Sequence, residues 1–132
     1  MSVSATTTAE YLLVDDEVDF VVTLAERLEL RHLDSVAVVH DGETALGYIA
    51  AHTPRVVVLD LRMPGTGGME VLKTVKERHP EIEVIIFTGH GSEKERMMAL
   101  ELGAFAYLEK PVDIEQLART MQEARARVGG EP

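Results

Sequence analysis

The sequence predicts an α/β fold: a doubly wound, five-stranded parallel sheet with five helices divided between its two faces. Three observations carry the prediction. Short apolar runs alternate with stretches of helical period along nearly the whole chain. Helical stretches separate successive runs, so the strands cannot pair as hairpins and must cross over to lie parallel. The runs VVVL and VIIF are uninterrupted, the pattern of strands covered on both sides.

Tyr11 to Val14 reads as the first strand, and Val18 to Leu30 as an amphipathic helix carrying Phe20, Leu24 and Leu28. Ser35 to Val39 is the second strand and Glu43 to Ala51 the second helix. Val56 to Leu59 follows as the third strand, and Met69 to Arg78 as a helix ending before Pro80. Glu83 to Phe87 is the fourth strand and Glu93 to Leu102 a helix stopped by Gly103. Ala104 to Leu108 and Ile114 to Arg127 complete the series. Residues 1–8 form a polar leader, residues 9–127 the domain and residues 128–132 a loose tail.

A length of 132 residues fits one core, and 45% hydrophobic with 27% charged residues is ordinary for a globular domain. Without cysteine the chain has no disulfides, thiolate nucleophiles or cysteine metal sites, a composition compatible with a reducing, cytoplasmic setting. The opening MSVSATTTAE lacks the basic start and apolar stretch of an export signal, and no apolar run approaches the ~18 residues of a membrane span. Asp plus Glu total 23 against 13 Lys plus Arg, and the formal charge of -10 repels phosphate backbones, so no direct nucleic-acid binding is expected.

Polar residues stand where the apolar strands run out: Asp15-Asp16 after YLLV, Asp60 after VVVL, Thr88 after VIIF and Lys110 after YLE. In a doubly wound sheet, ligands bind beyond the carboxyl ends of the strands where the winding reverses. With the common order 2-1-3-4-5 that point lies between strands one and three, which would bring Asp15, Asp16 and Asp60 together. Two unit charges about 4 Å apart repel by about 4 kcal/mol at an effective dielectric near 20, so such a trio requires a cation. Oxygen donors suit Mg2+, and the five scattered histidines show no metal spacing. A carboxylate beside such an ion is competent to attack phosphorus, with a lysine and a hydroxyl to receive the phosphoryl oxygens.

Each residue alone has a plainer explanation. Asp15 and Asp16 suit the cap of the first helix, and Asp60 suits the turn before Met63-Pro64-Gly65. Thr88 before Gly89 suits a strand-end turn, Lys110 a solvated charge and His90 a surface histidine. What the plainer readings leave unexplained is the combination, on one rim, of three acids, a hydroxyl and a lysine.

The phrases LLVDDE, VVVLDLRMPGTGGMEVL, IIFTGHG and GAFAYLEKP, spread over about residues 9–127, resemble the receiver domain of two-component response regulators, the CheY-like fold. FTGHG and LEKP look most like receivers of AAA+ transcription activators and hybrid kinases. The resemblance implies that Asp60 is the phosphoacceptor and that Asp15, Asp16, Asp60 and the backbone carbonyl of Arg62 hold Mg2+. It implies that Thr88 and Lys110 contact the phosphoryl group, that Lys110-Pro111 is a cis peptide aiming the lysine, and that Tyr107 turns inward as Thr88 moves. Arg62 and His90 would tune the lifetime of the phosphoryl group. A sensor histidine kinase or a phosphotransfer protein would be the donor, and a protein partner would read the face formed by the fourth helix, fifth strand and fifth helix. The receiver would assist its own phosphorylation and dephosphorylation without being an enzyme towards other substrates.

Moving a population from about 1:99 to 99:1 takes roughly 5.5 kcal/mol, so homodimerisation or partner binding would supplement the phosphoryl contacts. Taken whole, the sequence points to a stand-alone receiver. An aspartyl phosphatase on a similar sheet would carry a second acid two residues after its nucleophile, where this chain has Arg62. A receiver-shaped binding module indifferent to phosphate would not need the full constellation. Dinucleotide binding would need a glycine-rich loop where DDE stands.

Overall fold

A computed structural model describes residues 9–33, 35–89, 91–111 and 113–128. Strands and helices alternate through them as β1 (Tyr11–Val14), α1 (Val18–Glu29), β2 (Val36–Val39), α2 (Gly42–His52) and β3 (Val56–Leu59). They continue as α3 (Gly68–Arg78), β4 (Glu83–Thr88), α4 (Glu93–Glu101), β5 (Ala106–Glu109) and α5 (Ile114–Arg127). The strands form one parallel sheet in the order β2-β1-β3-β4-β5, the expected doubly wound arrangement. Leader residues 1–8 and tail residues 129–132 lie outside the described residues, whereas Val128 is buried at the end of α5.

Strand alternation divides the core in two. Leu12, Val14, Val57, Leu59, Val84 and Ile86 face one way and pack with Ala45 and Ile49 of α2, Val71, Leu72 and Val75 of α3, and Ala99 of α4. Tyr11, Leu13, Val56, Val58, Ile85 and Phe87 face the other way, onto Val21 and Leu28 of α1 and Leu117, Met121 and Ala124 of α5. The central strands β1 and β3 are buried throughout, while β2 and β5 at the edges are half-buried, as an open sheet covered on both faces requires. Among the described residues, no helix is long and apolar enough to cross a membrane.

β5 departs most from expectation, beginning at Ala106 and not Ala104. The turn that ends α4 takes up the difference. Gly103 adopts φ 109°, its N–H donates to the Leu100 carbonyl (3.1 Å), and the Ala104 N–H reaches back to the Ala99 carbonyl (3.0 Å). This is a Schellman closure, which satisfies the last helical carbonyls and relies on a residue tolerant of positive φ. The chain then meets the sheet through the Phe105 N–H, bonded to the Val84 carbonyl at 2.7 Å.

Candidate functional site

Ladder-like bonds continue one residue past the strand ends and build the rim. The Asp15 N–H donates to the Val39 carbonyl (3.2 Å), the Asp60 N–H to the Val14 carbonyl (3.0 Å) and the Lys110 N–H to the Thr88 carbonyl (2.9 Å). Each residue is therefore held at the carboxyl edge of the sheet by backbone, leaving its side chain available. Carboxylate oxygens of Asp15, Asp16 and Asp60 all come within 4.8 Å of one another. Asp15 and Asp60 are buried and Asp16 is exposed.

Lys110 enters this cluster from the end of β5. Its Nζ donates to Asp15 Oδ2 (2.7 Å) and Glu17 Oε1 (3.1 Å) and lies 3.6 Å from Asp60 Oδ2. With 13% of its side chain exposed, Lys110 is not a solvated surface charge. The Lys110–Pro111 peptide bond is cis.

The pairing leaves the acids short of positive charge. Burial pushes the Asp15 carboxyl above its ordinary range, and the hydrogen bonds from Lys110 and the Glu17 N–H recover only part of that, with the charge of Asp60 adding to the rise. For Lys110, burial pulls the ammonium downward, but the bonds to Asp15 and Glu17 and the charges of Asp15 and Asp60 outweigh it and hold it above the ordinary lysine value. Both partners thus shift upward, because desolvation governs the acid and several carboxylates share one ammonium. Three convergent carboxylates, oxygen donors only, two buried and incompletely neutralised, fit a hard divalent cation such as Mg2+.

The capping alternative for Asp15 and Asp16 gives way to a different local geometry. The N-cap of α1 is Glu17, which makes no side-chain cap bond, while Asp15 Oδ1 accepts from the Glu17 N–H at 2.9 Å in an Asx turn. Asp60 Oδ1 accepts from the Arg62 N–H at 3.4 Å, so the turn-opening contact and the position in the acidic cluster coexist. The Arg62 guanidinium donates to Glu95 Oε1 (2.8 Å), and Glu95 also closes a capping box with Ser92 at the start of α4.

Thr88 is fully buried at the end of β4, and among the described residues its Oγ1 has no hydrogen-bond partner; the Tyr107 hydroxyl is likewise buried without one among them. A buried hydroxyl left unpaired costs about 1–3 kcal/mol, so two beside the same rim call for a specific reason. Gly91 separates them: a methyl built there would lie 2.7 Å from Tyr107 Cζ and 3.1 Å from Thr88 Cγ2. His90 lies outside the described residues.

Sequence reasoning passed over Glu17, which shares Lys110, and Phe20, whose ring centroid is 4.6 Å from Lys110 Nζ. It also passed over His40, whose Nδ1 is 3.1 Å from the Asp15 carbonyl oxygen. The third acid of DDE was a visible signal for Glu17. Phe20 follows the helical period of α1, and periodicity does not distinguish a ring facing the core from one facing the rim.

The model of the response regulator receiver domain matches residues 11–122. NtrC of Salmonella typhimurium, a DNA-binding transcriptional regulator, is 40% identical over 84 residues, which are 64% of this chain and 18% of that protein. The transcriptional regulatory protein CpxR of Escherichia coli is 40% identical over 106 residues, 80% of this chain and 44% of CpxR. The chain thus spans less than half the length of these curated relatives. The crystal structure of the receiver domain of NtrX from Brucella abortus superposes with a TM-score of 0.79 at 31% identity, covering 87% of this chain and 97% of that one. With the doubly wound sheet and its acidic rim already in view, the match over most of the chain establishes that this protein belongs to the response regulator receiver domain family of two-component systems.

Proposed function

We propose that Asp60 accepts a phosphoryl group from a phosphohistidine of a sensor histidine kinase or phosphotransfer protein, in a Mg2+-dependent reaction, and that the modification switches binding of a protein partner. The observation that carries this reading is the convergence of Lys110 Nζ on Asp15 and Asp60 beside the unpaired hydroxyl of Thr88. An Asp60 carboxylate oxygen forms the new bond to phosphorus as the phosphorus–nitrogen bond breaks, and the bonding pair stays on the imidazole nitrogen. Lys110 meets one phosphoryl oxygen as a point charge and Thr88 donates to another.

Asp15, Asp16, Asp60 and the backbone carbonyl of Arg62 are the groups to hold Mg2+. The ion, when bound, neutralises charge on the phosphoryl oxygens. Arg62, two residues after Asp60 in sequence, and His90, two residues after Thr88, tune how long the acyl phosphate lasts. Tyr107 relays the state of Thr88 to the face made by α4, β5 and α5, where a downstream partner or a second copy of the chain docks. The net charge of -10 favours an output through protein contacts in the cytoplasm over direct contact with nucleic acid.

Incubation with a phosphorylated histidine kinase and Mg2+ tests the proposal. Labelling at one site per chain is expected for the wild type, with none for Asp60→Ala and with chelator. Undiminished labelling of a folded Asp60→Ala variant overturns it.

A further inference from the structure

We infer that Phe20 is a positioning residue for Lys110: with Phe87 it forms an aromatic wall that keeps the ammonium at the acidic rim, ready to meet a phosphoryl oxygen. The inference rests on the role just proposed for Lys110. Lys110 Nζ lies 4.6 Å from the centroid of the Phe20 ring and 5.7 Å from that of Phe87, both within the ~6 Å over which a cation is drawn to a ring face. The rings are 6.2 Å apart and tilted by 40°, so each also supports the other. Phe87 is anchored in β4 at 4% exposure, whereas Phe20, in the first turn of α1, is 39% exposed and covers the lysine from outside.

The core-facing positions of α1 are Val21, Leu24, Ala25 and Leu28, with Val21 and Leu28 almost fully buried, and Phe20 meets the core at its margin, through the ring of Phe87. Phe20 sits where α1 passes the carboxyl edge of the sheet, and the charge beside it is Lys110.

A ring face supplies something that carboxylates do not. Asp15 and Glu17 hold Lys110 by occupying its N–H donors. These are two of its three donors, and a phosphoryl oxygen arriving on Asp60 takes the third or displaces one of the two, so the ammonium must turn. Attraction to the ring quadrupole occupies none of them, so the ammonium is able to exchange acceptors without leaving the wall. A flexible four-carbon stem would otherwise allow Lys110 to follow the exposed Glu17 into solvent.

The test compares wild type, Phe20→Leu and Phe20→Tyr in the full chain, with folding verified by urea denaturation. The first readout needs neither phosphoryl donor nor metal: ring currents should displace the NMR resonances of the Lys110 ε-methylene and ammonium in the wild type and in Phe20→Tyr, and Phe20→Leu should lose most of the displacement. The second is phosphorylation by acetyl phosphate with Mg2+, expected to slow by roughly three- to tenfold in Phe20→Leu and to stay within about twofold of wild type in Phe20→Tyr. Undisplaced Lys110 resonances in the wild type overturn the inference, as does a Phe20→Leu variant that phosphorylates at the wild-type rate. Absence of any labelling in the wild type would sink the role of Asp60 instead, and the resonances would still decide whether Phe20 holds Lys110.

Discussion

Gly68 begins α3 directly behind the loop that carries Asp60, and replacing it with alanine perturbs fold and site through one contact. A methyl group on Gly68 would overlap the Asp60 carbonyl oxygen and lie 2.7 Å from Leu61 Cα and 3.0 Å from the Asp60 carbonyl carbon. Ordinary contact begins near 3.4 Å, so α3 and the loop must separate by about 0.7 Å even at the Leu61 contact. The obstructing atoms are backbone, held by the bond from the Asp60 N–H to the Val14 carbonyl, and cannot rotate away. Overpacking of this kind costs about 1–3 kcal/mol, only partly offset by the better helix propensity of alanine. We expect a net loss of about 1–2 kcal/mol, read as a lower urea midpoint with an unchanged slope. Because a displacement near 1 Å at a reacting group is worth up to about a hundredfold, phosphorylation by acetyl phosphate should fall at least tenfold. Gly47→Ala provides the comparison: its added methyl would meet nothing within 4 Å on α2, and it should stabilise by about 0.5–1 kcal/mol with phosphorylation unchanged. Equal stability and equal rates in Gly68→Ala and wild type would refute the steric argument.

Gly91→Ala should expel the Tyr107 ring from its inward position, since the new methyl would occupy the space of the tyrosine hydroxyl; exposure of Tyr107 to solvent, read by NMR, checks this. Lys110→Ala should leave Asp15 and Asp60 buried and uncompensated, lowering stability in chelator by about 3–5 kcal/mol, and restored stability with added Mg2+ would be measured by thermal denaturation. At the opposite end of the sheet, the side-chain bond from Arg125 holds the Glu10 carboxyl below its ordinary value of 4.5. The folded state therefore binds fewer protons there than the unfolded chain, so this contribution is present above about pH 4.5 and is lost as pH falls through the folded value. Glu10→Gln should accordingly flatten the acid limb of stability against pH while leaving phosphorylation unchanged.

The strands that position the site were legible because their burial is two-sided. VVVL at β3 and EVIIF at β4 admit few other placements, and both appear at their expected positions, with β4 extended by Thr88. β5 was misplaced by two residues because an apolar run does not reveal that Gly103 and Ala104 are spent closing α4. Within the rim, Asp15, Asp16, Asp60, Thr88 and Lys110 could be proposed to converge because each stands within two residues of the end of an apolar run. The contacts of Arg62 with Glu95, and of Phe20 with Lys110, could not, since they join elements by side-chain reach across distances in sequence for which no local pattern exists.

The same rim that would carry the phosphoryl group is locally unfavourable without it. Thr88 and Tyr107 bury hydroxyls that have no partner among the described residues, and Asp15 is buried with its carboxyl pushed upward despite the Lys110 contact. Supplying a partner to each hydroxyl would return about 1–3 kcal/mol, so a phosphoryl group that recruits Thr88, followed by resettling of Tyr107, would draw on free energy already stored in the fold. Two such gains together give about 2–6 kcal/mol and reach the roughly 5.5 kcal/mol needed to invert a population from about 1:99 to 99:1 only near their upper limits. Short of those limits, the proposed reading draws the remainder from what docks on the α4, β5 and α5 face, where Glu93 and Arg96 of α4 line an open groove with Tyr107, Pro111 and Gln116. On the proposed reading, phosphorylation alone therefore biases the equilibrium, and the bound partner completes the switch.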